Sequence, residues 1–146
     1  MYESTRDAAH PTCIVCGKKV AHGLGIEFLS IEEGSVETNF DCQPILEGYP
    51  AMLHGGIICM LLDGAMTNSL FTRGIVAVTA DISVRFRKPV SSQGQATLRA
   101  RVDDSRSSLF FTSAELLQEG EVKATAKARF VKKPAAGIPS ENGTKS

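Results

Sequence analysis

Positions 54–66 of the chain read HGGIICMLLDGAM. Six consecutive apolar residues at 57–62 end at Asp63, after which the apolar character resumes. A helix over 55–71 would be about 25 Å long. Because it would be apolar on nearly all sides, it is typical of a buried helix. We therefore predict one central helix over these residues.

Asp63 is the exception inside this apolar run. Burying an unpaired carboxylate costs free energy, so Asp63 needs water, a partner or a catalytic role. A structural role, as a loop cap or an arginine partner, is as compatible with the sequence as a catalytic one. The carboxylate is therefore a candidate functional group with a structural alternative.

The start of the predicted helix is the second unusual feature. His54 is followed by Gly55 and Gly56 where loop becomes helix. The first N–H groups of a helix lack internal partners and can polarise a carbonyl or hold an anion. Glycine also lets a ligand approach the backbone closely. The sequence thus indicates a candidate ligand site, although these three residues alone are equally typical of a flexible helix start.

Alternating apolar and polar residues predict an antiparallel sheet around the helix. A hairpin is predicted around Gly34, and four runs after the helix have the period of two that is typical of strands. In the first run, even-numbered residues over 76–86 are predicted to face the core, and Thr79 to lie on the polar face. A sheet with one apolar face must be covered. We predict an α+β fold in which five to six antiparallel strands wrap one long helix.

Length and composition indicate a single cytoplasmic domain. The chain has 146 residues, with 16 basic and 16 acidic side chains, so it has no basic footprint for nucleic acid or an anionic membrane. No apolar run reaches membrane-spanning length, and the first residues lack a signal-peptide core. We predict a domain at 13–133, disordered segments at 1–12 and 134–146, and small-molecule or protein partners without nucleic acid or membrane.

The cysteines leave one alternative open. Cys13 and Cys16 stand in CIVCGKK, which resembles half of a zinc site, and His10 and His22 would complete four ligands. A second pair of this spacing is missing. We therefore predict an ordered N-terminal turn without metal, and zinc is the alternative that metal analysis would decide.

Several motifs together carry a resemblance to a known family. The stretch 54–66 resembles the HGG-x6-D signature of hotdog-fold thioesterases of the phenylacetate-pathway type. An acyl-CoA thioesterase subgroup of that superfamily resembles this chain in four stretches on either side of and overlapping the signature, namely CIVCG, HGLGIEF, EGYPAMLHGG and VTADISVRFRKPV. The similarity covers roughly residues 13 to 132. It implies a hotdog fold, an acyl-CoA substrate, no cofactor, and a homodimer that often pairs into a tetramer.

The resemblance also implies catalytic roles. Asp63 matches an acidic residue that acts as general base on water or as nucleophile on the thioester carbonyl. The N–H of Gly55 matches the donor that polarises this carbonyl, and His54 shapes the same corner. Thr79 matches a hydroxyl that positions the attacking water. Many relatives have an asparagine six residues before the histidine, and this chain has Gly48 there.

Further residues are predicted to contact the substrate. Gly56 lies at the helix start, and Arg85, Arg87 and Lys88 suit the phosphates of coenzyme A. A solvated strand face is the alternative for these three cations. The predicted function is hydrolysis of an acyl-CoA thioester to a free acid and coenzyme A. The alternative is a non-catalytic acyl-CoA or acyl-carrier binding protein of the same fold.

The spacing of the predicted catalytic groups implies an assembly. Gly55 and Asp63 are eight residues apart, hence about 12 Å along one helix. Both must lie within about 3 Å of the same reacting group or its water. Two antiparallel copies of the helix across a two-fold axis meet this requirement, and one copy does not. We predict an obligate homodimer with composite sites.

Overall fold

The computed structural model describes residues 1–133 and is built around one long helix. The elements are α1 (Tyr2–Ala9), β1 (Leu29–Glu32), β2 (Ser35–Asp41), a 3-10 turn (Pro44–Leu46), α2 (Gly55–Phe71), β3 (Ala77–Phe86), β4 (Gln95–Arg106), β5 (Leu109–Gln118) and β6 (Glu121–Lys132). Six antiparallel strands form one sheet in the order β1-β2-β4-β5-β6-β3. The predicted α+β hotdog architecture is confirmed. The tail predicted at 134–146 lies outside the described residues.

The helix α2 is the centre of the core. It begins and ends where the apolar run predicts, and Leu61, Leu62 and Met66 have no exposed surface. These side chains pack in one cluster with inward-facing residues of the sheet, such as Leu98 and Phe130. Neither helix within residues 1–133 is both long and apolar enough to cross a membrane.

The segment 1–12, which the sequence predicts as disordered, contains the helix α1 in the structure. The helix α1 packs against α2. The Tyr2 hydroxyl donates to Oδ1 of Asn68 at 2.7 Å, and Arg6 is only 3% exposed. Sequence composition missed this helix because tyrosine, arginine and histidine side chains make its contacts, without an apolar stripe. The segment covers a side of α2 that the sheet leaves open.

A β-bulge interrupts the pairing of β3 with β6. Thr79 pairs with Phe130 and Asp81 pairs with Arg129, so Ala80 is an extra residue without an opposite partner. Phe130 is fully buried on the inner face of the sheet. Thr79 therefore lies on that inner face, and its predicted position on the outward polar face is wrong.

The bulge also divides the predicted core face of β3. After the bulge, Ile82 and Phe86 pair with inward-facing alanines of β6, as predicted. Before it, Ala77 is the buried residue, and Val78, which was predicted to face the core, is 43% exposed. Because β3 is an edge strand, Ile82 and Phe86 are themselves 37% and 53% exposed.

The hairpin predicted around Gly34 joins β1 to β2 and is tied to the end of α2. Gly34 has a φ of +89°, a conformation that glycine adopts without a steric penalty. Its N–H donates to Oγ1 of Thr72 at 2.6 Å, and this hydroxyl donates to the Ser69 carbonyl at 2.6 Å. Thr72, the C-cap of α2, thereby links the hairpin to the central helix.

We expect Thr72→Val to lower the free energy of unfolding by about 1–3 kcal/mol, because it leaves the buried Gly34 N–H without an acceptor. Urea denaturation at a fixed protein concentration measures the change. Thr72→Ser keeps the hydroxyl and is the control. Equal losses in the two variants would show that the hydrogen bond does not stabilise the hairpin.

Candidate active site

Asp63 and Thr79 form a polar pair at the edge of the sheet. Oγ1 of Thr79 donates to Oδ1 of Asp63 at 2.7 Å. The bulge at Ala80 makes this contact possible, because it turns Thr79 towards α2. Asp63 is partly exposed, and its second oxygen has no hydrogen-bond partner among residues 1–133. A carboxylate held in this way can accept a proton from water.

His54 forms the cap of α2. Its backbone is extended, and its Nδ1 accepts the N–H of Gly56 at 2.8 Å. In the neutral ring this hydrogen bond places the imidazole proton on Nε2. A Cβ on Gly56 would lie 3.1 Å from two atoms of the ring. A side chain at this position would press against the ring of the cap, and the N–H of Gly56 is already engaged.

The N–H of Gly55 is a free donor at this helix start. It has no acceptor within the part of the chain that the structure describes, and it carries the positive end of the helix dipole. Gly55 and His54 line a pocket of about 670 Å³, a volume in the range of small-molecule sites. Phe86 and the exposed Tyr49 lie on the same pocket wall.

The three predicted phosphate ligands are not equivalent. Arg87 and Lys88 line the pocket. Lys88, however, forms an ion pair with Glu121, and this hydrogen bond holds the pKa of Glu121 below its ordinary value. Arg85 lies on the outer face of the sheet and does not line the pocket. Arg87 is thus the cation at the pocket that has no acidic partner within residues 1–133.

The outer face of the sheet carries a second, larger depression, of about 820 Å³. Several of its charged side chains pair with one another, and Arg87 lines it as well. Nε of Arg99 lies 2.9 Å from Glu37, and its Nη1 lies 3.6 Å from Glu115. Because the depression lies on the face opposite α2 and neither Asp63 nor the start of α2 lines it, it is not part of the candidate site.

Within one chain the predicted catalytic residues form two separate groups. His54 and Gly55 lie at the start of α2 and line the pocket. Asp63 and its partner Thr79 lie about 12 Å further along the helix axis. Neither residue lines the pocket. A single chain therefore does not bring the base and the N–H donor to one point.

Sequence reasoning missed a polar network that holds the pocket loop. Oγ of Ser92 donates to the Glu47 carboxylate at 2.5 Å. Gln118 accepts the N–H of Ser91 at 2.8 Å and donates to its carbonyl at 3.1 Å. Gln118 is only 5% exposed at an inward-facing position of β5. A polar residue at a core position of an alternating strand is the signal that would have found it.

The chain belongs to the thioesterase superfamily, whose family model matches residues 51–125. This match contains α2 with its cap, and β3 with Thr79. Both halves of the candidate site therefore lie inside the family region.

Individual relatives agree with this assignment. The acyl-coenzyme A thioesterase THEM4 of Bos taurus is 26% identical over 115 residues, which are 75% of this chain and 47% of that protein. The chain spans about half the length of the curated relatives it matches.

Solved structures show the same fold. The E. coli PaaI protein from the phenylacetic acid degradation operon has a TM-score of 0.72 at 21% identity, covering 78% of this chain and 83% of that one. The protein smu.793 of Streptococcus mutans UA159, bound to acetyl CoA, has a TM-score of 0.71 at 18% identity. The match covers 80% of this chain and 94% of that one.

We expect His54→Ala to lower the free energy of unfolding by about 0.5–2 kcal/mol, because it removes the side-chain acceptor at the helix cap. His54→Asn should recover most of this loss, since asparagine is among the best N-cap residues. Thermal melts at one protein concentration compare the variants. An alanine variant as stable as the parent would contradict the capping role.

Proposed function

We propose that this protein is an acyl-CoA thioesterase, which hydrolyses an acyl-CoA thioester to a free acid and coenzyme A. The hydrogen bond from Thr79 to Asp63 carries the proposal. The bulge in β3 turns Thr79 towards Asp63, and the second carboxylate oxygen is left without a partner among the described residues and can accept a proton. Membership of the thioesterase superfamily supports the reaction class. The name of the bovine relative and the acetyl CoA in the Streptococcus mutans structure support the substrate class.

The proposed chemistry uses Asp63 and the start of α2. Asp63 acts as general base on water or as nucleophile on the carbonyl carbon, while Thr79 fixes the orientation of its carboxylate. As the tetrahedral intermediate forms, the N–H of Gly55 donates to its oxyanion. The C–S bond then breaks, and the thiolate leaves without strong activation because it is a stable anion. In the base route the proton that Asp63 took from water passes to the thiolate, and in the nucleophile route water hydrolyses the mixed anhydride left on Asp63 to the free acid.

The proposed active form is a homodimer with composite sites. Ile82 and Phe86 are exposed apolar side chains on the inner face of β3, whose outer edge has unpaired backbone groups because β3 ends the sheet. An exposed edge strand of this kind is suited to pairing with a second copy. Antiparallel packing of two α2 helices then places Gly55 of one chain opposite Asp63 of the other. Pairs of such dimers form the proposed tetramer.

Coenzyme A is proposed to bind beside the start of α2. Arg87 lines the pocket there and is suited to a phosphate. Lys88 can bind a phosphate only if its ion pair with Glu121 breaks. Substrate contacts by Gly56 and Arg85, the cytoplasmic location, and activity without a cofactor stay predictions.

We expect Asp63→Asn to keep the fold and to lower turnover by about two to four orders of magnitude, which is what a general base contributes. Release of free thiol from a panel of acyl-CoAs measures turnover. Asp103→Asn, which removes a carboxylate paired with Arg101 on the outside of the sheet, is the matched control. Near-normal hydrolysis by the Asp63 variant would refute the catalytic assignment, and acyl-CoA binding by the parent without thiol release would favour a binding protein.

We expect Gly55→Pro to lower turnover by about 10²–10³-fold, because it removes only the proposed oxyanion donor. Proline suits the first position of a helix, and the extended backbone of His54 suits the residue before a proline. Gly55→Ala keeps the N–H, and its Cβ would lie an ordinary 3.6 Å from Phe86. This alanine variant should stay active.

Mixing the two inactive variants tests the composite site. Refolding Gly55→Pro with Asp63→Asn in equal amounts makes half of the dimers mixed, each with one intact site, so activity should return to about a quarter of the parent level. Mass spectrometry of the native dimers verifies subunit exchange. If mixed dimers form and stay inactive, the site lies within a single chain.

A further inference from the structure

Three metal-ligand side chains meet in the N-terminal segment of the chain, which packs against α2 between Gly64 and Phe71. His10 is the C-cap of α1, and Cys13 and Cys16 lie in the turn that follows. One ligand atom from each residue lies within 4.8 Å of the other two. His22, which the sequence also offered as a ligand, is exposed and is not part of this cluster.

The separation of these atoms fits a tetrahedral metal ion. Nδ1 of His10 lies 3.6 Å from Sγ of Cys16. With Zn–S near 2.3 Å and Zn–N near 2.0–2.1 Å, a sulfur and a nitrogen ligand of tetrahedral zinc are about 3.6 Å apart. The two protein atoms therefore already stand at the distance that zinc requires.

The backbone of the CIVCG turn orients the sulfur atom of Cys13. The N–H of Gly17 donates to the Cys13 carbonyl at 2.8 Å, and the N–H of Val15 points at Sγ of Cys13 at 3.3 Å. A Cβ on Gly17 would lie 2.4 Å from the backbone nitrogen of Cys13, so this tight turn requires glycine. Backbone N–H groups aimed at a sulfur ligand orient it and stabilise its thiolate form.

The ligand types favour a thiophilic cation. Thiolate sulfur and imidazole nitrogen are the ligands that zinc prefers. The cluster supplies two cysteine sulfurs and one histidine ring nitrogen within reach of a single ion.

We propose that His10, Cys13 and Cys16 bind a thiophilic divalent cation, Zn²⁺, with solvent or an external ligand as the fourth ligand. No fourth His, Cys, Asp or Glu joins the cluster within residues 1–133. This replaces the prediction of a turn without metal, because the sequence did not show that His10 would reach the two sulfurs.

A metal here would link the end of α1 to the turn that follows it, and both parts pack against the central helix. Val15 lies between the two cysteines, and a Cβ on Gly64 would stand 2.8 Å from its Cγ1. Gly64 follows Asp63 directly in α2. The ring of His10 packs edge-on against Phe71 at 5.0 Å. A metal would therefore stiffen a segment that contacts α2 beside the proposed base and at its C-terminal end.

Titration of the reduced, chelator-stripped full chain with Co²⁺, followed by Zn²⁺, tests the proposal. We expect one metal ion per chain, a thiolate-to-cobalt charge-transfer band that Zn²⁺ abolishes, and a higher melting temperature with Zn²⁺. Cys13→Ser and His10→Gln should each weaken binding by more than about tenfold. Cys59→Ser and His22→Gln remove the same residue types elsewhere and should bind normally.

Three results would overturn the proposal. The first is the absence of stoichiometric metal and of the charge-transfer band in a folded, reduced chain. The second is an equal loss of binding in the ligand variants and in the Cys59 and His22 controls, with circular dichroism showing that all are folded. The third is a Cys13–Cys16 disulfide, found by mass spectrometry, whose reduced form takes up no metal.

Discussion

The central helix α2 must be buried, and the sheet and the N-terminal segment are arranged around it. A helix with almost no polar face must be covered on every side, and one curved sheet covers only part of it. The N-terminal helix and the CIVCG turn cover another part, where Gly64 lets Val15 approach. The exposed inner face of β3 marks the part that this chain leaves open. The site residues lie along this uncovered border.

The sequence predicted α2, the hairpin and the sheet because each has a local signature. The apolar run defines both ends of α2, and Gly34 supplies the turn of the hairpin. The bulge at Ala80 has no such signature, since the alternation of apolar and polar residues continues through it. The N-terminal helix was missed for a related reason. It is held by a small number of polar contacts, such as that of Tyr2 with Asn68, and these have no pattern in the sequence.

The candidate site was predictable where a residue's role depends on its own helix. His54, Gly55 and Asp63 follow from their spacing and from the resemblance. Contacts between strands were not predictable, because they depend on register. The pairing of Lys88 with Glu121 and the inward turn of Thr79 are both of this kind.

The pairing of β3 with β6 has a consequence for the order in which the chain acquires its parts. The strand that carries Thr79 is synthesised before β4 and β5 but is hydrogen-bonded to neither. Its partner β6 is the last strand of the sheet to leave the ribosome. Until then α2 lacks part of its cover, and the hydroxyl has no fixed position beside the carboxylate. Such long-range pairing slows folding and exposes apolar surface to other chains. The nascent chain therefore exposes apolar surface of α2 until its sheet is complete.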